Sequence, residues 1–370
     1  MKYKEDIVQM LFKAYFDARK HKRNKHSQLQ FEQQLESNIF ELYDDIKNKN
    51  YKIGESICFV INKPVKREIF AATFRDRVIH HFIFNILNPL IEKELQYDIY
   101  SCRKGKGTLF GIKRAQSQMQ SCSENYTTNA FVLKLDISGY FMNMNKELLY
   151  HKVEEIIDKY ELYLPIQSSL LKYLVGINIY HDPTTFCKFQ SKYSMWTDLP
   201  KNKSLFYTAS NCGLPIGNLT SQLYGNLYLN NFDHYVKKEL KIEYYGRYVD
   251  DFYLFDKNIN NLKTAIEKIK LRLTEKEKLT LHPHKIYLQH INKGFSFLGV
   301  YILPYRRYIG KRIKGGLYKT LSNLFSNFKT DKINEMQKLQ SYKSMLLHHN
   351  CFKYERKISL IENYVQNKNL

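Results

Sequence analysis

No stretch of this sequence approaches the roughly 20 apolar residues of a membrane-spanning helix, and its start, Met-Lys-Tyr-Lys-Glu-Asp, lacks the apolar core of a secretory signal. These two absences predict a cytoplasmic protein with no membrane partner. Cysteine is sparse: Cys58, Cys102, Cys122, Cys187, Cys212 and Cys351 are scattered without a Cys-x-x-Cys pair, which argues against a zinc ribbon and predicts reduced thiols. The histidine clusters His80-His81, His282-Pro283-His284 and His348-His349 have no cysteine or acid at ligand spacing, so structural zinc is not expected. Tryptophan occurs once, at Trp196, and there is neither an internal repeat nor a low-complexity linker. Acid is the scarce charge. Against 58 Lys and Arg there are 36 Asp and Glu, a formal charge of +22 that suits a polyanionic partner and salt-sensitive association.

Apolar residues make up 44% of the 370 positions, with 23 Phe and 30 Tyr, enough for two or three packed subdomains. Residues 1 to about 50 read as helical, because Phe31, Leu35, Ile39, Leu42 and Ile46 recur on one stripe. The run from Arg19 to Lys25 before them is strongly basic, either a contact for nucleic acid or a solvated helix face. Ile57 to Ile61 reads as a strand ended by Pro64, Lys66-Arg67 open another, and Val78 to Leu95 is a helix. Arg103-Lys-Gly-Lys-Gly-Thr108 is a basic, glycine-rich loop before a helix carrying Lys113 and Arg114, a place for phosphate but not a P-loop. Helices are predicted over Lys146–Val175, Leu219–Leu240 and 260 to about 278, an irregular insertion over 181–212, and strands over Leu279–Gln289 and Phe295–Leu303. The end of the chain is helical and basic.

The apolar strand Phe131–Leu135, interrupted only by Lys134, ends in Asp136. Far downstream, two strands within Tyr244–Phe255 bracket a bend at Asp250-Asp251. Two magnesium ions about 4 Å apart, with manganese as a substitute, require carboxylates presented from separate strands at one sheet edge. Uncompensated acids repel one another until a metal arrives, so function is the natural reason to keep them. Tyr43-Asp44-Asp45 is a control in the same chain. It is spelled much like the downstream segment, yet it falls on a predicted helix with its acids toward solvent.

With Phe131-Val-Leu-Lys-Leu-Asp136, Gly213-Leu-Pro-Ile-Gly-Asn-Leu-Thr-Ser-Gln222, Tyr248-Val-Asp-Asp251, Leu281-His-Pro-His-Lys285 and Gly294-Phe-Ser-Phe-Leu-Gly299 in that order, the chain resembles a bacterial reverse transcriptase. Lys66–Arg77 and Tyr100–Gly107 look like the fingers of the same enzymes, so the resemblance covers roughly residues 60 to 305. The subgroup it most resembles is the reverse transcriptases of diversity-generating retroelements, whose Ile-Gly-x-x-x-Ser-Gln matches Ile216-Gly217 to Ser221-Gln222. The resemblance implies an α+β, right-hand polymerase with fingers, a ferredoxin-like palm and a helical thumb. Its expected division is an N-terminal helical extension (1–56), fingers (57–130), palm with the insertion (131–304) and basic thumb (305–370).

It also implies roles. Asp136 and Asp250 would bind both metals, Asp251 would support the primer-side ion or orient its neighbour, and the carbonyl of Ile137 would complete the nucleotide-side shell. Lys66, Arg67 and Arg75 would clamp the triphosphate, or else make surface salt bridges. Phe141 would exclude a 2′ hydroxyl, with a core aromatic as the alternative. Lys285 would protonate the departing pyrophosphate, with a solvated strand lysine as the alternative. Gly217 would let backbone approach the templating pair and Gln222 would lie near the template. Ile216, where many relatives carry Gln, would reduce base discrimination. Arg103, Lys104 and Lys106, the primer grip Phe297-Leu298-Gly299, and Lys311 and Arg312 at the start of the thumb would hold template and primer. Relatives usually continue acidic after Tyr140-Phe141, whereas Met142-Asn-Met-Asn145 follows here.

The implied partners are an RNA template, a DNA or RNA primer, deoxynucleotides and either a small basic accessory protein or a noncoding RNA. Three readings follow: a retroelement enzyme making mutagenic cDNA, an anti-phage defence reverse transcriptase with a dedicated noncoding RNA or other template, and a non-catalytic RNA-binding module on a polymerase fold.

Overall fold

The computed structural model describes residues 6–20, 22–63, 65–325 and 332–368. In chain order the elements begin α1 (Ile7–Arg19), α2 (His26–Gln33), α3 (Leu35–Lys47), β1 (Ser56–Ile61), β2 (Arg67–Ala71), α4 (Phe74–Glu94), α5 (Thr108–Cys122) and β3 (Phe131–Asp136). There follow α6 (Tyr140–Asn143), α7 (Lys146–Lys159), α8 (Ser168–Tyr180), β4 (Cys187–Phe189), α9 (Leu219–Tyr228), α10 (Asn230–Lys238), β5 (Tyr244–Tyr248), β6 (Asp251–Asp256) and α11 (Ile259–Glu275). The last are β7 (Tyr287–His290), β8 (Phe295–Phe297), β9 (Val300–Leu303), β10 (Arg306–Ile309), α12 (Lys311–Phe325), α13 (Lys332–Leu346) and α14 (Phe352–Lys368). The chain forms two compact units, Met1–Cys102 with Asp136–Lys241 and Ile266–Pro283, and Arg103–Leu135 with Ile242–Ala265 and His284–Leu370. The segment expected to be the palm, 131–304, contributes to both.

In the first unit α1, with Leu11, Ala14 and Tyr15 buried, packs on α4, where the Tyr15 ring meets Phe74, while Ile39, Leu42 and Ile46 turn the apolar stripe of α3 inward. α4 starts at the N-cap Thr73. Asp76 in its first turn is only 1% exposed. Such a carboxylate is tolerable only when fully bonded, and it accepts from Tyr51 Oη (2.6 Å), Thr73 Oγ1 (2.6 Å) and the Gly54 amide (3.0 Å). The sheet of this unit runs β2-β1-β4, with β1 antiparallel to β2 and parallel to β4.

β4 belongs to the 181–212 insertion, which is otherwise short 3-10 turns. Besides the β1–β4 pairing, a buried carboxylate fastens the insertion. Glu68 of β2, 2% exposed, accepts from Trp196 Nε1 (2.8 Å), Ser204 Oγ (2.9 Å) and the Leu205 amide (2.7 Å).

The second unit holds a four-stranded sheet of order β5-β6-β3-β7, on which α5 packs, and a three-stranded meander β10-β9-β8. Its end is a bundle of α12, α13 and α14 around Leu317, Leu321, Leu339, Leu346 and Ile358.

Several expected elements are shorter than their periodicity implies. The stripe from Phe31 to Ile46 is broken at Gln34 (φ −126°), so that Phe31 lies in α2 and the rest in α3. Lys146–Val175 is two helices, α7 and α8, and Leu219–Leu240 is broken at Leu229 (φ −95°, ψ 6°) into α9 and α10. The break at Leu229 leaves Leu223, Leu227 and Asn230 all buried, so the apolar period runs on across a non-helical residue. Of Leu279–Gln289 only β7 is strand, and Phe295–Leu303 is a hairpin whose turn residues Leu298 and Gly299 both have positive φ, 51° and 84°. The expected strand end at Pro64 lies outside the described residues.

Candidate active site

Side chains alternate along a strand, so Lys134 and Asp136 of β3 share one face, and both are half-buried. β6 is the neighbour of β3 in the sheet and begins with Asp251. Its partner β5 ends at Tyr248, paired with Asp251, which leaves Val249-Asp250 as a two-residue turn. Val249 has φ 59°, a conformation that costs a β-branched residue about 1–2 kcal/mol. Arg247, fully buried in β5, donates from Nη1 to the Val249 carbonyl at 3.0 Å and braces that turn. The Asp251 carboxylate lies 3.1 Å from Lys134 Nζ. The aspartate hairpin is therefore built with its own cation.

Past β3 the chain pairs with the segment before Lys285. The His282 amide donates to the Asp136 carbonyl (2.8 Å), the Ser138 amide to the Thr280 carbonyl (2.9 Å), and Ile137 faces Leu281. In this pairing the central residue makes no bond to its opposite, so the N–H and C=O of Ile137 are directed to the other edge. Lys285 is exposed and lies in the irregular stretch before β7, not in a strand.

Phe141 is half-buried. Its ring fits against Gly225 of α9, where an added Cβ would lie 3.3 Å from two ring carbons. The residues that replace the usual acid here are structural, since Met142 and Met144 are buried and Asn145 caps α7 by accepting from the Leu148 amide at 2.8 Å. Gly217 has φ 130°, and a Cβ there would lie 2.8 Å from the Phe70 carbonyl oxygen. The close approach it permits is to β2: the neighbouring Ile216 carbonyl accepts from the Phe70 amide at 2.9 Å, and Ile216 packs on a cluster containing Phe70 and Met142. Gln222 is exposed in a helix whose remaining residues from Thr220 to Tyr228 are all buried.

The expected phosphate-binding cations differ in what surrounds them. Arg75 is ion-paired to Asp45, lies 3.3 Å from the Lys52 carbonyl and stacks 5.2 Å over the Tyr51 ring. Arg67 is exposed, and Lys66 lies 3.8 Å from the largely exposed Asp198. In the second unit Lys104 is exposed in the glycine-rich loop, where Gly105 and Gly107 have positive φ, while Arg103 and Lys106 are half-buried and Lys106 lies over the Phe110 ring. Phe297 is a core residue, 5.0 Å from the Tyr253 ring, whereas Leu298 and Gly299 form the turn beyond it. Lys311 and Arg312 are exposed at the start of α12.

Sequence reasoning missed Lys134, Arg247 and Glu68 as organising residues. The signal for Lys134 was its break in an apolar strand.

Among the described residues no group of three His, Cys, Asp or Glu is gathered tightly enough to hold a metal ion. The donor chemistry nevertheless fits magnesium. That ion takes hard oxygens, usually one or two carboxylates with water and substrate phosphates completing the shell, and the hairpin presents carboxylate already opposed to a cation.

A family model described as reverse transcriptase (RNA-dependent DNA polymerase) matches residues 61–302. Protein YkfC of Escherichia coli strain K12 is 22% identical over 290 residues, covering 70% of this chain and 67% of YkfC. Among solved structures, telomerase from Candida albicans in complex with a TWJ fragment of telomeric RNA matches with a TM-score of 0.50 at 11% identity, over 91% of this chain and 60% of that one. Apo telomerase from Candida tropicalis, truncated from its C-terminal domain, matches with a TM-score of 0.48 at 14% identity, over 70% of this chain and 55% of that one. The chain thus spans 55 to 60% of the length of these two telomerase chains. The likeness to the Candida albicans enzyme, with the mixed helices and strands, is that of a right-hand polymerase fold.

Proposed function

This chain belongs to the reverse transcriptase (RNA-dependent DNA polymerase) family, and from that premise we propose that it extends a primer with deoxynucleotides on an RNA template. The observation that carries the proposal is the pairing of neighbouring strands, β3 ending in Asp136 and β6 beginning with Asp251 after the braced turn at Asp250. In this reading the palm bears the three aspartates, residues 57–130 serve as fingers and the basic helices after 305 as thumb. Two divalent ions, once bound, supply the Lewis acidity that activates the primer 3′ hydroxyl and offsets triphosphate charge. Asp136 and Asp250 offer them carboxylate oxygens, the outward-directed Ile137 carbonyl offers a third donor, and Lys134 keeps Asp251 oriented between turnovers.

The 3′ hydroxyl gives up its proton to solvent as its oxygen attacks the α-phosphorus, the bond from that phosphorus to the oxygen bridging to the β-phosphate breaks, and pyrophosphate leaves with a proton from Lys285, which solvent restores. Lys66 and Arg67 steady the triphosphate, while Arg75, already held by Asp45, sets the frame for them. Phe141, seated on Gly225, closes the space for a 2′ hydroxyl. Gln222, the exposed residue of α9, faces the template, and Arg103, Lys104, Lys106, the Phe297–Gly299 turn, Lys311 and Arg312 hold the duplex by its backbone. An RNA partner is in keeping with the RNA fragment bound by the Candida albicans telomerase and with the charge of +22.

We further propose a diversity-generating retroelement enzyme, on the support of Ile216-Gly217 and Ser221-Gln222. Ile216 packs inward and offers no hydrogen bond to a nascent pair, which supports relaxed base selection. The test is sequencing of the RNA that copurifies with the protein and of the cDNA it makes in magnesium. Adenine-biased errors are expected. Repetitive or concatenated products would shift the assignment to phage defence, and RNA binding without any extension would leave a non-catalytic module.

A further inference from the structure

Between α1 and α2 the chain turns through Lys20, Lys22, Arg23, Asn24 and Lys25, which line an open cavity of about 500 Å³. The nearby acids are committed elsewhere. Asp17 holds Lys20 at 2.6 Å and Asn85 at 3.0 Å, and Glu32 holds Arg19 at 2.7 Å and the Tyr15 hydroxyl at 2.7 Å. Lys22, Arg23 and Lys25 are exposed, and among the described residues none of them has a carboxylate within ion-pair distance. Arg77 of α4 adds to the crowding: Lys22 is held below the ordinary lysine range first by partial desolvation and then by that guanidinium.

The second unusual feature is the helix that begins here. α2 has Lys25 as its N-cap, with no side-chain cap bond, and has no acid in its first turn. Caps are normally Ser, Thr, Asp or Asn, and the positive end of a helix dipole favours anions over cations. The Gln28 and Leu29 amides both donate to the Lys25 carbonyl, so the His26 and Ser27 amides are left without a backbone partner among the described residues. A lysine cap on an acid-free helix start, beside unpaired cations, breaks several local rules at once. Such violations cluster at functional sites. An anion beside Lys22, Arg23 and Lys25 would offset their mutual repulsion and suit the adjoining acid-free helix start.

We propose that this cavity binds successive phosphates of an RNA backbone, a second contact for nucleic acid in the N-terminal helices, outside the residues proposed for polymerisation. Three cations spread over a cavity this wide exceed what a lone phosphate engages. The choice of RNA over another polyanion rests on the proposed RNA-templated activity.

The experiment measures binding of a fluorescent single-stranded RNA oligonucleotide to the whole protein across a salt series. The wild type is compared with Lys22→Gln/Arg23→Gln/Lys25→Gln, and with the charge-keeping Lys22→Arg/Lys25→Arg. Removing three phosphate contacts should lower the log–log salt slope by about two. That corresponds to roughly 100-fold weaker binding at ~0.1 M salt, converging toward ~1 M, while the arginine variant binds as the wild type does. Melting temperatures check that all three proteins are folded.

Equal affinity and slope for the neutral triple variant, in a wild type that binds RNA and extends primers on it, would overturn this inference and leave the polymerase reading standing. A wild type that binds no RNA overturns both. Displacement of the RNA by millimolar inorganic phosphate would mark a small-anion site instead. An affinity for anionic vesicles that falls in the triple variant while RNA binding does not would mark a membrane site, and either result sinks the RNA assignment.

Discussion

Asp44-Asp45 and Asp250-Asp251 are both adjacent aspartates placed just after a tyrosine, and they stand in opposite environments. The first pair lies in the last turns of α3, where successive side chains diverge around the helix. Asp44 is exposed, and Asp45 is spent on Arg75, a guanidinium also fixed by Tyr51 and the Lys52 carbonyl. The second pair sits at a two-residue turn that holds a valine at φ 59° and is braced by a buried arginine, with Asp251 heading a central strand opposite Lys134. In the helix an acid ties two elements together. In the hairpin, backbone strain and a buried charge are spent on presenting acids at a strand end, and costs of that kind are kept where they serve chemistry.

The contrast can be broken most severely at Asp136. Asp136→Asn should lower RNA-templated primer extension by at least ~10³-fold with an unchanged melting temperature, measured as single-turnover rates. Asp45→Asn, which loosens only the frame around Arg75, should lower those rates by no more than about fivefold. Equal losses in both would erase the distinction between the pairs. Next in size is the backbone that carries the Ile216–Gln222 block. In Gly217→Ala the methyl would meet the Phe70 carbonyl at 2.8 Å in a left-handed conformation, costing about 2–3 kcal/mol in denaturant unfolding.

The third is an acid titration. Burial, with like charges nearby, lowers the His80 imidazole to about 3, and its Nδ1 bonds Thr220 Oγ1 at 2.8 Å in the same α9 that carries Gln222. Between an unfolded value near 6.5 and that folded value, the unfolded chain binds the proton and the native state does not. Stability attributable to this site should therefore fall as pH drops, by about 1.4 kcal/mol per unit below ~6, and His80→Gln should flatten that slope. Smallest is the ion pair of the helix itself, where Asp45→Asn should cost about 0.5 kcal/mol of stability.

Much of this was legible in the sequence because strands and turns leave local marks. Phe131–Asp136 is an apolar run ending in an acid, and Tyr244–Phe255 is two strands about a polar bend, so their elements appear where the pattern predicts. The helix breaks at Gln34 and Leu229 were not legible. The apolar period continues through both, and a single residue leaving the helix changes no spacing. Glu68 was equally hidden, since an acid that follows Lys66-Arg67 at the start of an edge strand reads as the solvent face until the insertion folds over it with three donors. The Lys134–Asp251 pairing needed strand order, which no local pattern contains. For Gly217 the residue type was informative and its reason was not, because the neighbour it approaches is β2, more than a hundred positions upstream.

The most direct test of the central claim is primer extension on an RNA template by purified wild type and Asp250→Asn across a magnesium titration. The account predicts robust extension by the wild type, saturating with magnesium, and none by the variant at any concentration. Equal extension by the two proteins would contradict it.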